Sequence, residues 1–213
     1  MTVVDRASKS RRPGSETRRL VIDAARRRIE SDGAVSLKIS DIVRETGIAD
    51  VIIYRHFGDR RGVIVEALAE FWLEFTRADL AEARRVIQSA PDGGVTASML
   101  ASLMVRPQDP AYRRRRWLRI QTLSAAQEFP ELRDRIAAEQ ALAHEELQDL
   151  LEIIRRKNGL GAFPVSIETI RGAMLGTSIG YVLDDATGGS LTDDAQRAFW
   201  EHFFVSFGVA RPE

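Results

Sequence analysis

The chain has 213 residues, enough for one small and one medium domain, and its 31 basic and 31 acidic side chains give no net charge. It has no cysteine, which excludes disulfides and thiolate chemistry. No stretch is long and uncharged enough to cross a bilayer, and the arginine-rich N-terminus lacks the apolar core of a signal peptide. We therefore expect a cytoplasmic protein that does not insert into membranes.

The N-terminal segment is basic, with six basic and two acidic side chains in residues 1–19. Residues 1–14 are interpreted as a flexible basic arm, suited either to phosphate and minor-groove contact or to solvation alone. A helix ending at Gly33 is predicted next, because apolar residues recur there at three- and four-residue steps. These residues are Leu20, Val21, Ala24, Ala25 and Ile29.

Residues 41–58 form the most informative segment and indicate two short helices around a glycine turn. Gly47 supplies the positive φ that a tight turn needs, and Ile48 anchors the turn to the core. The second helix ends with Tyr54-Arg55-His56-Phe57, and a long helix with a 3.6-residue period follows. The pattern predicts a helix-turn-helix DNA-binding domain over residues 15–61.

The rest of the chain is divided by helix-breaking residues into five further helical stretches, and nothing in it alternates like a strand. Pro130 suits a first helical position, and Asn158-Gly159 suits a helix end. Ser166 and Thr192 suit N-caps. We predict an all-α protein with about nine helices, in which residues 62–213 form an effector-binding and dimerisation domain.

The turn Gly47-Ile48 followed by Tyr54-x-His56-Phe57 resembles the DNA-binding domain of the TetR family of bacterial transcriptional regulators. The resemblance implies a homodimeric repressor that leaves a palindromic double-stranded DNA operator when a small effector binds. It assigns phosphate contacts to Tyr54, His56 and Arg60. Contacts with the groove or its edges fall to Lys38, Ser40, Asp50, Val51, Ile52 and Arg55, while Ile53 and Phe57 belong to the core. Beyond this domain the resemblance rests on helix number and order.

Three features depart from the family pattern. The reading helix starts with Ala49-Asp50-Val51-Ile52, where relatives often have Ser and Thr. Either Val51 and Ile52 meet thymine methyls, or they indicate weakened DNA binding in a dimeric ligand- or protein-binding module. Asp50 either stabilises the helix start or accepts a hydrogen bond from cytosine. Lys38 lies near the start of the preceding helix, where relatives commonly have a capping Thr or Ser, which leaves Ser36 as an alternative cap. Arg60 stands where relatives usually have Lys.

The last two helices predict dimerisation. Five of the 15 aromatic residues lie within nine positions, more apolar surface than the terminal helix of a monomer buries on one stripe. They are Phe199, Trp200, Phe203, Phe204 and Phe207. The preceding helix has Gly172, Gly176 and Gly180 at four-residue steps, a ridge that permits close helix approach. The resemblance implies a four-helix bundle between subunits, and the alternative is closure of the core within one chain.

Polar and amphipathic residues among apolar neighbours predict a largely apolar effector cavity of at least about 300 Å³. The predicted lining is Trp72, Phe75, Met99, Trp117, Gln121, Met174, Ser178 and Tyr181. An apolar or amphipathic small molecule is the expected effector, and an ordinary packed core is the alternative. The run Arg113–Arg116 is expected on a solvated face. Scattered histidines and the lack of catalytic or phosphate-binding motifs favour no metal, no cofactor and no enzymatic activity.

Overall fold

A computed structural model describes residues 13–91, 94–104 and 109–211 of the chain. These residues form nine α-helices and one 3-10 turn, and the prediction of an all-α protein with about nine helices is confirmed. The chain divides into two compact units, Met1–Ala67 and Leu68–Glu213. The predicted basic arm lies outside the described residues, apart from its last two. No helix among the described residues is long and apolar enough to cross a membrane.

The helices follow one another without an intervening strand in the described ranges. The first unit contains α1 (Gly14–Asp32), a 3-10 turn (Ala34–Ser36), α2 (Ile39–Thr46), α3 (Asp50–Phe57) and the start of α4 (Arg60–Gln88). The second unit contains the rest of α4, then α5 (Ala97–Met104), α6 (Pro110–Glu128), α7 (Pro130–Lys157), α8 (Ile167–Ala186) and α9 (Asp193–Ser206). Because α4 begins in one unit and ends in the other, it is the element that joins them covalently.

Apolar side chains of α1, α2 and α3 pack together in the core of the first unit. The predicted periodic face of α1 is buried at Val21 and Ile29, α2 buries Ile42, and α3 buries Ile53 and Phe57. Fully burying one such side chain contributes about 1.5–3 kcal/mol, so these residues fix which face of α3 points inward. The opposite face of α3 is left exposed.

Helix ends lie where local sequence predicts them. Gly33 ends α1, and Gly47 ends α2 in the left-handed region at φ 68°, where its N–H donates to the Val43 carbonyl at 2.9 Å. The predicted caps Ser166 and Thr192 each accept a hydrogen bond from a backbone N–H of the first turn, at 3.2 Å.

Ser36, the alternative cap suggested by the sequence, does not cap the start of α2. Ser36 belongs to the 3-10 turn and does not cap α2. Lys38 occupies the N-cap position with extended backbone and makes no side-chain cap bond. Ser36 sits too early in the chain to take over the capping role, since the turn ends before the helix begins.

An apolar core of the second unit lies around α5 and α9 and includes side chains of α4, α7 and α8. Trp200 is fully buried there, with Phe203 and Phe204 beside it. The Trp200 Nε1–H donates to the Tyr181 hydroxyl at 2.9 Å, and burial raises the pKa of Tyr181 despite that bond. One chain thus buries three of the five aromatic residues, which favours closure of the core within the chain for these three, and the place of the cluster in a dimer interface stays a prediction.

Candidate nucleic-acid interface

The exposed face of α3 presents the residues that the sequence assigns to DNA reading. Val51, Tyr54 and Arg55 are exposed and lie on one side of the helix, opposite the buried Ile53 and Phe57. Spacings of three and four residues place side chains on the same helix face. Ile52 and His56 are half-buried at the edges of that face. Aromatic, cationic and apolar groups thus share one exposed helical surface.

Asp50 lies at the start of the same surface and is exposed. Its Oδ1 accepts a hydrogen bond from the Val51 N–H at 2.7 Å, which satisfies one of the open donors of the first turn. This bond gives Asp50 the helix-stabilising role that was one of its two alternatives. The second alternative, contact with a base, stays a prediction.

The beginning of α2 offers a second exposed group of predicted contacts. Lys38 and Ser40 are exposed, while Ile39 between them is buried and anchors the turn. The first N–H groups of a helix carry partial positive charge and bind phosphate oxygens readily. A lysine and a hydroxyl beside that helix start suit contact with a DNA backbone.

Arg60, at the start of α4, is engaged within the protein. Its Nε donates to the Leu37 carbonyl at 2.6 Å, and its Nη2 donates to the carbonyls of Ala34, at 3.2 Å, and Val35. These three carbonyls belong to the turn between α1 and α2. The guanidinium therefore holds that turn against the start of α4. This structural role is separate from the predicted phosphate contact.

We expect Arg60→Ala and Arg60→Lys to separate the two roles of this residue. Loss of the carbonyl bonds should destabilise the first unit by about 1–2 kcal/mol in both variants, because lysine cannot reproduce the guanidinium fork. If Arg60 also contacts a phosphate, only alanine should lower the salt slope of DNA binding, by about one unit. Hydrogen exchange of α1 and α2 measures the first effect, and salt titration the second. Full stability in Arg60→Lys would contradict the structural role.

Ion pairs join α1 to its neighbours in the first unit. Arg27 and Arg28 approach Glu45 of α2 at 2.8 and 3.4 Å, and Arg18 approaches Glu66 of α4 at 2.6 Å. Ion pairs that keep contact with solvent contribute little stability, on the order of 0–1 kcal/mol each. Their consequence is electrostatic, because they neutralise part of the positive charge on α1.

Sequence analysis missed Gly62 in the first turn of α4. A Cβ at this position would lie 1.9 Å from the carbonyl oxygen of Phe57, and the Gly62 N–H donates to Asp59 Oδ1 at 2.8 Å. Only glycine permits this close approach between the end of α3 and the start of α4. The signal that could have found it is the pair of glycines, Gly58 and Gly62, flanking the short α3–α4 junction.

The predicted effector residues lie in different environments. Trp72 and Phe75 are buried on α4, and Met99 and Met174 are partly buried against the α5–α9 core. Trp117 is 41% exposed, so it is solvent-facing in the isolated chain. The side chain of Ser178 lies outside the described part of the structure.

Two predicted lining residues have buried polar atoms without a hydrogen-bond partner among the described residues. They are the indole Nε1 of Trp72 and the amide Oε1 of Gln121. A buried polar group without a partner costs about 1–3 kcal/mol, so each of these atoms favours a ligand or water that can pair with it. One is a donor and the other an acceptor.

An open cavity of about 420 Å³ lies elsewhere, beside the C-terminal part of α7 and the start of α8. Its lining includes Gln148, Asp149, Phe163 and Ile167, and none of the eight predicted lining residues. Glu152 and Arg155 also line it, but the Nε of Arg155 is bonded to Glu152 Oε2 at 2.7 Å. This cavity does not test the predicted one between α4, α5, α6 and α8, which stays a prediction.

The outer face of α8 carries the predicted glycine ridge. Gly172, Gly176 and Gly180 are exposed, and a Cβ added at any of them would meet nothing within 4 Å. Next to this ridge runs a stripe of exposed apolar side chains that sequence analysis missed, although it recurs at four-residue steps. The stripe consists of Leu175, Ile179 and Leu183.

The arrangement of α2, turn and α3 defines a helix-turn-helix protein. Residues 21–67 match the model of the bacterial regulatory proteins of the tetR family. Residues 21–67 are thus similar to the N-terminal domain of that family, and the resemblance recognised in the sequence is confirmed over these residues. Among functionally curated proteins, none matches the sequence significantly.

Solved structures of similar fold cover nearly the whole chain. A TetR-family regulator of Cytophaga hutchinsonii is 18% identical, with TM-score 0.65 over 95% of this chain and 100% of that one. A regulator of Saccharomonospora viridis in complex with choline is 18% identical, with TM-score 0.65 over 90% and 96%. Bacillus subtilis FadR in complex with stearoyl-CoA is 16% identical, with TM-score 0.54 over 88% and 97%. At such identities the likeness establishes the fold, which is that of TetR-family regulators.

Proposed function

We propose that this protein is a DNA-binding transcriptional regulator of the TetR type, a cytoplasmic repressor that leaves a palindromic operator when a small molecule binds. The exposed face of α3, within a domain that matches the tetR family, carries this proposal. Residues 15–61 would bind DNA, and residues 62–213 would hold the effector and the dimer contact. No step of this function requires a cofactor or catalysis.

The proposed DNA contacts divide into phosphate and base contacts. Tyr54, which is exposed, and His56 at the edge of the reading face suit contact with phosphate oxygens. Lys38 and Ser40 add contacts at the start of α2. Arg55 can donate to guanine, the commonest specific contact of arginine in the major groove.

Dimerisation through α8 is supported by its outer face. An exposed glycine ridge beside an apolar stripe permits two helices to approach closely and to bury Leu175, Ile179 and Leu183. A two-fold dimer places equal reading helices on successive half-sites, about 34–36 Å or somewhat more apart. This geometry is why a palindromic operator is proposed.

For the effector, we propose an apolar or amphipathic molecule that also has hydrogen-bonding groups. The buried Trp72 Nε1 and Gln121 Oε1 support this choice, because neither has a hydrogen-bond partner among the described residues and an entirely apolar ligand would leave them unpaired. Proteins of similar fold have been solved with choline and with stearoyl-CoA. The effector would lower DNA affinity by favouring a conformation with differently spaced reading helices.

The second candidate is a dimeric ligand- or protein-binding module with weak DNA affinity. The observation that favours it is the exposed Asp50 carboxylate, which phosphates repel, next to an apolar Val51 on the reading face. A band-shift titration on the DNA upstream of the protein's own gene, at several salt concentrations, separates the two candidates. Specific retardation with a steep salt dependence supports the regulator. Retardation no stronger than that of random DNA supports the module.

Tyr54→Phe should weaken binding to operator and random DNA alike, by about 0.5–1.5 kcal/mol, because one neutral hydrogen bond to a phosphate is lost. Tyr112→Phe is a matched control, since it removes a hydroxyl from α6 in the other unit. The same titration measures both variants. A loss confined to one operator base pair would show that Tyr54 contacts a base instead of the backbone.

A further inference from the structure

The N-terminal end of the α3 reading face presents exposed methyl groups beside the exposed Asp50. Val51 is 67% exposed, and Ala49 just before the helix is also exposed. The polar members of the face, Tyr54 and Arg55, come one turn later. A surface that contacts this end of α3 therefore meets the Val51 methyl groups as well as the Asp50 carboxylate.

Local stability does not account for this exposed valine. β-Branched residues are poor helix formers compared with alanine, and an exposed side chain gains little from burial within its own fold. The Val51 N–H is satisfied by Asp50 Oδ1 at 2.7 Å, a bond that any residue at position 51 could make. The valine side chain therefore contributes nothing visible to α3 itself.

The major groove offers a single feature to such a side chain. Base edges present hydrogen-bond donors and acceptors, which an isopropyl group cannot use, and the thymine C5 methyl, which it can contact. We propose that Val51 is a specificity-determining residue that reads a thymine methyl in each operator half-site. This inference rests on the proposed DNA-binding function.

Bases that differ only in the C5 methyl can test whether Val51 contacts that methyl group. Deoxyuridine pairs like thymine but lacks the methyl, so it should weaken binding about fourfold per half-site. This factor corresponds to about 0.8 kcal/mol for one methyl-sized group removed from water. Placing 5-methylcytosine there restores the methyl but changes the hydrogen-bonding edge. Deoxyuridine is therefore the cleaner probe.

The test uses the full chain and duplexes that it selects from a random pool. Each thymine of the selected half-site is replaced in turn by deoxyuridine, and binding of the wild type and Val51→Ala is titrated. We expect one position per half-site where the wild type loses about fourfold and Val51→Ala loses nothing. Tyr54→Phe is the control, because loss of its proposed phosphate contact lowers all affinities and leaves the deoxyuridine pattern unchanged.

The outcomes separate this inference from the function on which it rests. A selected duplex that binds tightly, with no deoxyuridine effect or with the same effect in Val51→Ala, overturns thymine reading and leaves the regulator intact. Selection of no duplex at all, from wild type that is folded by circular dichroism, overturns the proposed function and this inference together.

Discussion

Replacing Gly62 with alanine is expected to destabilise the first unit by about 3 kcal/mol or more and to abolish specific DNA binding. The new Cβ would lie 1.9 Å from the Phe57 carbonyl oxygen, which is backbone and cannot rotate away. Phe57 itself is held by its buried ring. Overpacking typically costs about 1–3 kcal/mol where side chains can adjust, so a backbone clash should reach or exceed that range.

The measurement is hydrogen exchange of α1–α3 amides together with thermal unfolding. Gly14→Ala is the matched control in the same unit, because its Cβ would meet the His56 ring at an ordinary 3.5 Å. That variant should keep its stability within about 0.5 kcal/mol. Wild-type protection of α3 in Gly62→Ala would mean that the α3–α4 junction adjusts at little cost, against this reading of the structure.

The helix-turn-helix was predictable because its signals are local. Gly47 at a positive φ, Ile42 and Phe57 on inward faces, and the breaker at Gly33 all act within a few residues. Arg60 shows the limit of such signals. Its carbonyl partners lie 23 to 26 residues earlier, so no local pattern reveals that the guanidinium holds the α1–α2 turn.

The arginine run of α6 shows the same limit in the second unit. Arg116 was expected on a solvated face, but it is buried and donates from Nε and Nη2 to Asp185 of α8, at 2.8–3.0 Å. Arg113 also donates to Asp185, at 2.9 Å. The partner lies about 70 residues away, and a helix with basic residues all round gives no indication of which one turns inward. Charge spacing alone therefore predicted the wrong surroundings for Arg116.

The sequence shows that the aromatic residues of α9 need to be covered, but it does not show which surface covers them. Periodicity shows that Trp200, Phe203 and Phe204 need covering, and it does not distinguish α5 of the same chain from a second subunit. The stripe at Leu175, Ile179 and Leu183 was the better sign of an uncovered face. This stripe is hard to recognise in the sequence, because α8 has apolar residues on several sides.

The exposed Ile179 and the buried Phe203 lead to opposite expectations when each is replaced by aspartate. Ile179→Asp should dissociate the proposed dimer, because it places an uncompensated carboxylate in an apolar contact at a cost of about 3–5 kcal/mol, more than a hundredfold in the dissociation constant. Ile179 is 49% exposed in the isolated chain, so the monomer should keep its fold. Analytical ultracentrifugation measures the association, and circular dichroism measures the fold.

Phe203→Asp should instead unfold the second unit. The Phe203 ring is buried between Trp200, Phe204 and Phe207, with ring centroids 5.1, 5.5 and 4.3 Å away. Losing a buried Phe side chain costs about 3–5 kcal/mol before the carboxylate is counted, against a total stability of about 5–15 kcal/mol. A folded monomer from Phe203→Asp, with Ile179→Asp still dimeric, would move the interface from the α8 ridge to α9. It would also show that the aromatic cluster faces a partner after all.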